Sequence, residues 1–396
     1  MQQALIMGEI SMKKVLLRSL SYVLVAALAS AITFGLCRFQ KFDKLDYLEK
    51  LLQQYYIGEI DEQKMDDAMA KAMVESLGDR WSRYQTAEEY AAYKDTMSNS
   101  YVGVGITISV REDGQGLDIV EITKGSPAEE AGVLPGDRLI KVDGMDITGK
   151  TTTEVSALIK GEEGEQVILT LIRGAAELEV YVQRQRINTV VASSRMLQDG
   201  IGLITIDNFD DRCAQETIAA IEDLRNQGAK ALIFDVRYNP GGYKAEMVEV
   251  LDYLLPEGDL FRTVDYRGKE EVDTSDARCL EMPMAVLVNL HSYSAAEFFA
   301  AALSEYEAAV IVGEKTFGKG YFQNTFALTD GSAVTLSIGK YYTPKGKSLA
   351  GVGLTPDVEV ILTEEESARL LSGQLPVEED PQIQAAIQVL KPQESH

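Results

Sequence analysis

A serine and a lysine in two short loops are the residues best suited to chemistry, Ser294 in HSYSAAEFF and Lys319 in GEKTFGKG. A serine hydroxyl becomes an effective nucleophile only when a neighbouring base takes its proton. The two histidines are poorly placed for that task, because His291 lies three residues before the serine and His396 ends the chain. A lysine amine can act as the base if burial lowers its pKa from about 10.4 toward roughly 7–8. The pattern therefore indicates a serine nucleophile with a lysine base.

The surroundings of Lys319 suit a lowered pKa. Glycines flank it on both sides, and Phe317, Tyr321 and Phe322 lie close in sequence. Such aromatic and backbone surroundings remove water and favour the neutral amine. We therefore expect Lys319 to be buried.

The lysine loop also nearly matches the phosphate-binding pattern G-x-x-x-x-G-K-[ST]. It fails at the last position, because Gly320 has no hydroxyl to hold Mg²⁺. A phosphate loop also needs a following helix, whereas YFQNTFALTDGSAVTLSIGKYYTP predicts a hairpin that turns at Asp330 and Gly331. Nucleotide binding is therefore disfavoured.

Ser294 has a structural interpretation as well, since it stands where a helix N-cap belongs. The apolar run 284–290 predicts a strand, and SAAEFFAAALSEY predicts a helix. Ser294 and Glu297 fit a capping box, and this pattern alone favours the cap over the nucleophile. The two roles are compatible, because a helix N-terminus supplies free N–H groups that suit an oxyanion.

A second glycine motif, DVRYNPGG, follows an apolar strand predicted over 231–236. By itself it favours a tight turn with Asp235 and Arg237 as a structural pair. Its functional use would be an oxyanion hole formed by the N–H of Gly241 or Gly242 together with the N–H of Ala295.

Taken together, these motifs resemble those of the carboxy-terminal processing peptidases, also called tail-specific proteases. In that family D-[LV]-R-x-N-P-G-G, S-x-S-A-[AS]-E and G-E-K-T-F-G-K-G-x-x-Q occur in this order, and here they read DVRYNPGG, SYSAAE and GEKTFGKGYFQ. The resemblance covers most of the chain and implies that Ser294 is the nucleophile, Lys319 the base and Gln323 the residue that orients the lysine. The chain departs from the family in HSY before Ser294, where Tyr293 replaces a residue that is commonly small and would narrow the pocket.

The elements that must position these loops alternate between strand and helix over about 188–362. IGLITI, KALIFDV, MAVLVNL and AAVIVG predict strands, and helical segments separate them, so we expect a mixed α/β sheet with helices packed on it. The resemblance implies a crotonase-like or Clp-protease-like serine peptidase core without a metal or organic cofactor. The acidic tail 363–396 ends in a helical pattern at 381–390.

Residues 99–187 predict a separate small domain that resembles a PDZ domain along its whole length. The resemblance rests on Gly103, Val104, Gly105 and Ile106, followed by Gly132 and by PGD at 135–137. In such a domain the N–H groups near Val104 to Ile106 hold a terminal carboxylate, and a helix, here about 152–160, shapes the pocket for the last side chain. The alternative is a glycine-bearing hairpin turn. We expect the partners to be unfolded or flexible proteins with apolar C-termini.

The N-terminus carries the only membrane signal. Residues 20–36 are uncharged and apolar over 17 positions, near the lower limit of roughly 17–25 for a spanning helix. A signal peptide cleaved near Ala29 to Ala31 is the alternative, but the apolar run continues to Leu36 and favours an uncleaved anchor. We therefore expect residues 1–38 to form a single-pass anchor in the cell membrane. The resemblance implies that the catalytic part lies outside the cytoplasm.

The net charge and the segment 39–98 give two further expectations. The net charge of −24, from 38 basic and 62 acidic residues, disfavours a nucleic-acid surface. Residues 39–98 show two helical patterns, and the resemblance implies that this section helps to build a homo-oligomer. The sequence thus predicts a membrane-anchored serine endopeptidase that recognises protein C-termini. The alternative is a catalytically silent PDZ scaffold that binds protein tails.

Overall fold

The computed structural model describes residues 24–25, 28–30, 44–111 and 113–391. Most of the expected anchor at 20–36 lies outside the described residues. Among the residues that are described, no helix is long and apolar enough to cross a membrane. The chain divides into two compact units whose boundary falls between residues 73 and 74.

Helix α1, at residues 44–55, belongs to the first unit. Helix α2 (Glu62–Glu75) begins in the first unit and ends two residues after its boundary. Both helical patterns expected from the sequence are therefore present. The apolar side chains of α1 are largely exposed, including Leu48 and Tyr55.

The second unit begins with a short strand and a helix that lead into a small β-module. These elements are β1 (Arg83–Gln85), α3 (Ala87–Met97) and β2 (Ser100–Gly103). The module contains β3 (Ile106–Val110), β4 (Leu117–Ile122), α4 (Pro127–Glu130), β5 (Arg138–Val142), β6 (Met145–Asp146), α5 (Thr152–Ile159), β7 (Gln166–Arg173), β8 (Ala176–Gln183) and β9 (Gln185–Asn188).

The module has a core of its own and a free strand edge. Its main sheet has the order β3-β4-β5-β7-β8, so β3 lies at one edge. Helix α5 packs near β3 and buries Val155 and Ile159 in the module core. Among the described residues β3 therefore leaves an unpaired strand edge near α5, which is the arrangement that accepts an extended peptide. β2 pairs with β9 and brings the two ends of the module together.

A larger α/β layer follows the module. Its elements are β10 (Ala192–Met196), a 3₁₀ turn (Gln198–Gly200), β11 (Ile201–Ile206), α6 (Cys213–Asn226), β12 (Ala231–Asp235), α7 (Lys244–Leu254), β13 (Gly258–Asp265), β14 (Glu270–Ser275), β15 (Met284–Val288), α8 (Ala295–Glu305), β16 (Ala309–Gly313), β17 (Tyr321–Ala327), β18 (Ala333–Tyr342), β19 (Val358–Glu359), α9 (Glu364–Leu371) and α10 (Pro381–Leu390).

The central sheet has the order β10-β11-β12-β15-β16-β19, and all its pairings are parallel except that of β10 with β11. Its middle strands are buried on both faces, which explains their continuous apolar sequences. On one face Ile204 and Phe234 pack with residues of α6, α7 and α8. On the other face Ile233 and Leu287 pack with Ile383 of α10.

This topology positions the sequence motifs. The carboxyl ends of β11, β12, β15 and β16 meet at one edge of the sheet because these strands are parallel neighbours. Ligands of open α/β sheets bind at that edge. A second sheet, in the order β1-β18-β13-β14 with β17 paired to β18, supplies further site residues. The predicted hairpin is β17 with β18, and Gly331 in its turn has a positive φ of 90°.

Candidate active site

Ser294 forms a sharp turn between β15 and α8, with φ of 59° and ψ of −127°. A non-glycine residue in this region is strained, and strand-to-helix turns of this kind present the serine nucleophile in other hydrolases. The N–H of Ser294 donates to Oε2 of Glu297 at 3.0 Å, so the carboxylate side of the expected capping box is present. The N–H of Glu297 donates to the carbonyl oxygen of Ser294, also at 3.0 Å. The serine hydroxyl is therefore not needed to satisfy that helix-end donor.

The glycine turn packs directly against the serine. Gly241 has a φ of 90°, and a Cβ at this position would lie 2.7 Å from the Cβ of Ser294 and 2.9 Å from the nitrogen of Ala295. Any side chain at Gly241 would therefore push the turn away from the serine. Oδ1 of Asn239 accepts the N–H of Gly241 at 2.8 Å.

Two backbone donors beside the serine remain available. In the described part of the chain, the N–H groups of Gly242 and Ala295 donate to no protein acceptor. Ala295 is the first residue of α8, so its N–H also lies at the positive end of a helix. The two donors can stabilise an oxygen anion that forms beside Ser294.

Glu297 links the serine to the lysine loop. Its side chain is fully buried, and Oε2 accepts the backbone N–H of Lys319 at 2.8 Å in addition to that of Ser294. Oε1 accepts from the N–H of Gly318 at 2.6 Å and from the hydroxyl of Thr316 at 2.5 Å. Burial raises the pKa of Glu297, and these hydrogen bonds oppose that rise. Sequence analysis identified Glu297 only as a capping residue, because its reach to the second loop is a tertiary contact.

The amine of Lys319 lies in an aromatic enclosure. Nζ is 4.4 Å from the ring centroid of Trp81. The pKa of Lys319 is lowered to about 8, chiefly by burial and also by the positive charges of Arg83 and Arg80, against the opposing charge of Glu297. The direction agrees with the expectation from the sequence.

No hydrogen bond joins Nζ of Lys319 to Oγ of Ser294 in the described chain, although both residues line one cleft. Catalytic hydrogen bonds are often long without substrate and shorten when it binds. Gln323 lies on β17 in the same cleft. Its Nε2 donates to the carbonyl oxygen of Tyr321 and to Oγ of Ser337, each at 3.1 Å, and Gln323 makes no hydrogen bond to Lys319 among the described residues.

Two further aromatic rings pack against Trp81. The centroid of Trp81 lies 5.7 Å from that of Phe317 and 6.3 Å from that of Tyr293. Tyr293, the departure from the family motif, therefore supports the ring that covers the amine of Lys319. Trp81 is the only tryptophan in the chain, and this was the one signal in the sequence that could have drawn attention to it.

Tyr341, on β18, is a further neighbour of the serine that sequence analysis missed. Burial raises the pKa of its hydroxyl, and the nearby side chain of Ser294 opposes the rise. The ring packs against Phe261, Phe298 and Phe322, with centroids 5.0 to 5.3 Å away.

The cleft has a volume of about 710 Å³ and is bounded by the serine turn, the glycine turn, the lysine loop and α3. Of the residues expected to act in catalysis, Ser294, Lys319, Gln323, Gly241 and Gly242 line it, and Ala295 follows Ser294 as the first residue of α8. Among the described residues, no group of three or more His, Cys, Asp or Glu side chains could hold a metal ion.

The residues expected to bind a peptide C-terminus lie elsewhere, at the end of β2, in the loop that follows it and at the start of β3. Gly105 has a φ of 83°, and a Cβ there would lie 2.2 Å from the Cβ of Ser126. The carbonyl oxygens of Val104 and Gly105 accept from Ala128 and Thr123 at 2.9 and 3.0 Å. These bonds fix the loop at the entrance to the groove beside α5.

Comparison with known proteins identifies the family. The model of peptidase family S41 matches residues 200–360, and that of the PDZ domain matches residues 119–173. The carboxy-terminal processing protease CtpA of Bacillus subtilis is 36% identical over 325 residues, which are 81% of this chain and 69% of that protein. The chain belongs to the carboxy-terminal processing peptidases. The family expected from the motifs is thereby confirmed, and the protein is a serine-type peptidase with a PDZ domain.

A further relative agrees, and a solved structure shares the fold. A protein of Staphylococcus epidermidis named as a probable CtpA-like serine protease is 31% identical over 352 residues, covering 87% of this chain and 71% of its own length. A solved structure from Bacteroides fragilis, described as an S41 protease, superposes with a TM-score of 0.52 and 19% identity, over 84% of this chain and 92% of the other. The mixed α/β peptidase fold with a PDZ domain is confirmed.

Proposed function

We propose that this peptidase is an endopeptidase that cuts flexible or unfolded proteins near an apolar C-terminus, with Ser294 as nucleophile and Lys319 as base. The observation that carries the proposal is the carboxylate of Glu297, which binds the backbone N–H of both residues. It places a strained serine and a lysine with a pKa of about 8 in one cleft.

In the first step, neutral Lys319 accepts the hydroxyl proton of Ser294 as Oγ attacks the carbonyl carbon of the peptide bond. The carbonyl oxygen becomes an anion, which the N–H groups of Gly242 and Ala295 stabilise. Gly242 suits this role better than Gly241, because the N–H of Gly241 already donates to Asn239. Lys319 then gives its proton to the departing amine, which leaves an acyl group on the serine.

In the second step, water replaces the amine. Lys319 accepts a proton from water as the water oxygen attacks the acyl carbon, and it returns this proton to Oγ when the new carboxylate leaves. Gln323 would orient the lysine through Oε1, since Nε2 is already held by Tyr321 and Ser337.

Substrate capture is assigned to the groove between α5 and the edge of β3. A free C-terminus would add its strand to β3 and place its carboxylate at the loop of Gly103 to Ile106. We further propose that residues 20–36 anchor the protein in the cell membrane with the catalytic part outside the cytoplasm. The support for the anchor is an uncharged apolar run of 17 residues. We also propose that residues 39–98 help to build a homo-oligomer.

The test is proteolysis of an unfolded protein with an apolar C-terminus by the full chain in mild detergent, beside Ser294→Ala and Lys319→Ala. Cleavage that both substitutions abolish would support the mechanism. Equal cleavage by the parent and the variants would overturn it. An inactive parent that still binds protein tails would favour the silent PDZ scaffold. Extraction of the chain from membranes by alkaline carbonate would contradict the anchor.

A further inference from the structure

Asp210 is a buried acid in the cleft that the proposed chemistry does not use. It follows the carboxyl end of β11 and is only 7% exposed. Oδ1 is enclosed and meets no hydrogen-bond donor among the described residues. The side chain lies beside the glycine turn, because a Cβ at Gly242 would be 2.6 Å from Oδ1. A buried carboxyl without a donor is costly unless a ligand supplies one.

No cation among the residues that the structure describes forms an ion pair with this carboxyl. The pKa of Asp210 is raised to about 7, chiefly by burial and also by the negative charges of Asp211 and Glu246. Three cations line the cleft, Arg83, Lys94 and Lys319. Arg83 lies over the ring of Tyr93 at 4.8 Å, Lys94 over that of Tyr90 at 4.8 Å and Lys319 over that of Trp81 at 4.4 Å, and within the described chain none of them forms an ion pair with Asp210.

The walls near Asp210 are aromatic and apolar. Tyr90, Tyr93 and Met97 line the cleft from α3, at positions three or four residues apart that share one helix face. Tyr243 lines it from the start of α7. Tyrosine rings and a methionine suit the aliphatic stem of a long basic side chain, whose charged end would then face Asp210.

We propose that the pocket formed by Asp210, Tyr243 and the cleft face of α3 binds a lysine or arginine side chain of the substrate close to the bond that is cut. The proposal rests on the proposed function, since it adds a substrate feature to the same cleft. The side chain would lie close to the cut bond because Gly242 connects the two places. Its N–H would hold the oxygen of the scissile carbonyl, and a Cβ at Gly242 would be 2.6 Å from Oδ1 of Asp210. An apolar side chain in this pocket would leave the carboxyl unpaired, and sites of this kind reject such a residue.

The experiment uses peptides with amidated C-termini, so that the PDZ groove gains no free carboxylate. Each pair of peptides differs at one position near the cleavage site, with lysine in one and norleucine in the other. The full chain is compared with Asp210→Asn and with Asp223→Asn, which makes the same charge change on the exposed surface of α6. We expect the parent and the Asp223 variant to prefer lysine at one position by at least about tenfold in kcat/KM. Asp210→Asn should lose that preference and still cut the norleucine peptide.

A second readout separates this proposal from the catalytic one. The affinities of the same peptides are measured by calorimetry with Ser294→Ala, alone and combined with Asp210→Asn. In one outcome the parent cuts none of the peptides, Ser294→Ala binds the lysine peptide more tightly than the norleucine peptide, and adding Asp210→Asn removes that difference. This outcome would support the pocket and overturn the proposed activity. Efficient cleavage with no lysine preference, or a preference that survives Asp210→Asn, would overturn the pocket and leave the activity standing. Thermal unfolding of each variant checks that it is folded.

Discussion

Ser294 and Lys319 lie on different loops, yet both donate their backbone N–H groups to one atom, Oε2 of Glu297, at 3.0 and 2.8 Å. The distance between the serine and the lysine is therefore set by a buried carboxylate and not by either loop alone. The other side chains in the first two turns of α8 are apolar, so none of them forms a hydrogen bond with the Glu297 carboxylate. The geometry of the site depends on that residue remaining an acceptor on both oxygens.

Replacing Glu297 by glutamine should uncouple the two loops. The new amide group would face two of the four donors and repel them, so we expect kcat to fall by about 10- to 100-fold through misplacement of the lysine. The free energy of unfolding should fall by about 1–3 kcal/mol, because buried donors lose an acceptor. Steady-state kinetics and urea unfolding measure the two effects.

Glu305 provides a matched control on the same helix. Its carboxylate accepts from the hydroxyl of Thr343 at 3.0 Å and from the N–H of Lys345 at 2.8 Å, so it also fixes a loop. Glu305→Gln should lower stability and leave kcat close to that of the parent. If both variants lose the same fraction of kcat, Glu297 has only a general structural role.

Sequence patterns predicted the parts of the site that local rules determine. The apolar runs that became β12, β15 and β16 are buried on both faces, and their loops had to meet because parallel neighbours share one edge. Helix α10, expected over 381–390, is present at Pro381–Leu390. These predictions succeeded because strand and helix periodicity is visible within one segment.

The enclosure of Lys319 could not be predicted in this way. Trp81 reaches the site because β1 pairs with β18, where Arg83 stands opposite Thr335. That pairing joins residues about 250 positions apart, and nothing in either short segment indicates it. Tyr341 enters from the other end of β18, and the strands β13 and β14 beside it carry no strong local pattern.

The pH dependence of cleavage should follow Lys319. The base must be neutral, so kcat/KM should rise with pH and level off above a midpoint near 8, the pKa that burial gives the amine. The positive charge of Arg83 helps to lower that pKa. Arg83→Gln should therefore move the midpoint to higher pH and slow cleavage at pH 7.

Arg195→Gln removes the same charge from an exposed position on β10 and serves as the control. Its profile should match that of the parent. A midpoint that does not move in Arg83→Gln would mean that Arg83 does not influence the base. A profile that falls as pH rises through 8 would contradict the assignment of a neutral lysine as the base.

A buried ion pair below the glycine turn should matter for both stability and rate. Nη1 of Arg237 lies 2.8 Å from Oδ2 of Asp380, and both side chains are almost fully buried. Asp380→Asn keeps the oxygen that caps α10, since Oδ1 accepts the N–H of Gln382, but it removes the charge. Arg237 keeps a second partner, because its Nη2 lies 2.6 Å from Oδ2 of Asp235. We therefore expect the free energy of unfolding to fall by less than the roughly 3–5 kcal/mol that is typical of a buried ion left with no partner. We also expect lower kcat, because Arg237 leads into the turn that carries Gly242.

The neighbouring pair of Arg369 and Glu379 is the comparison. Its atoms approach to 2.6 Å, but the glutamate side chain is 56% exposed. Glu379→Gln should change the free energy of unfolding by less than about 1 kcal/mol. Urea unfolding measures both variants. If Asp380→Asn and Glu379→Gln lower the free energy of unfolding by similar amounts, the ion pair of Arg237 with Asp380 stabilises the protein no more than a surface contact does.

Capture of protein tails is best tested by changing the substrate and not the loop. A side chain at Gly105 would be strained at a φ of 83° and would meet the Cβ of Ser126 at 2.2 Å, so such a variant disturbs folding as well as binding. Amidating the C-terminus of an apolar-tailed substrate removes only the charge that the loop N–H groups would hold. Losing charge-assisted hydrogen bonds worth about 1.5–3 kcal/mol should raise KM by about 10- to 100-fold and leave kcat unchanged.

A substrate of equal length that ends in aspartate is the control, because an acidic last side chain does not suit an apolar pocket between α5 and β3. Its KM should be high already and should change little on amidation. If amidation leaves KM unchanged for the apolar tail as well, the groove does not capture C-termini. If amidation lowers kcat instead of raising KM, the tail acts on the catalytic step, and the module does more than bind.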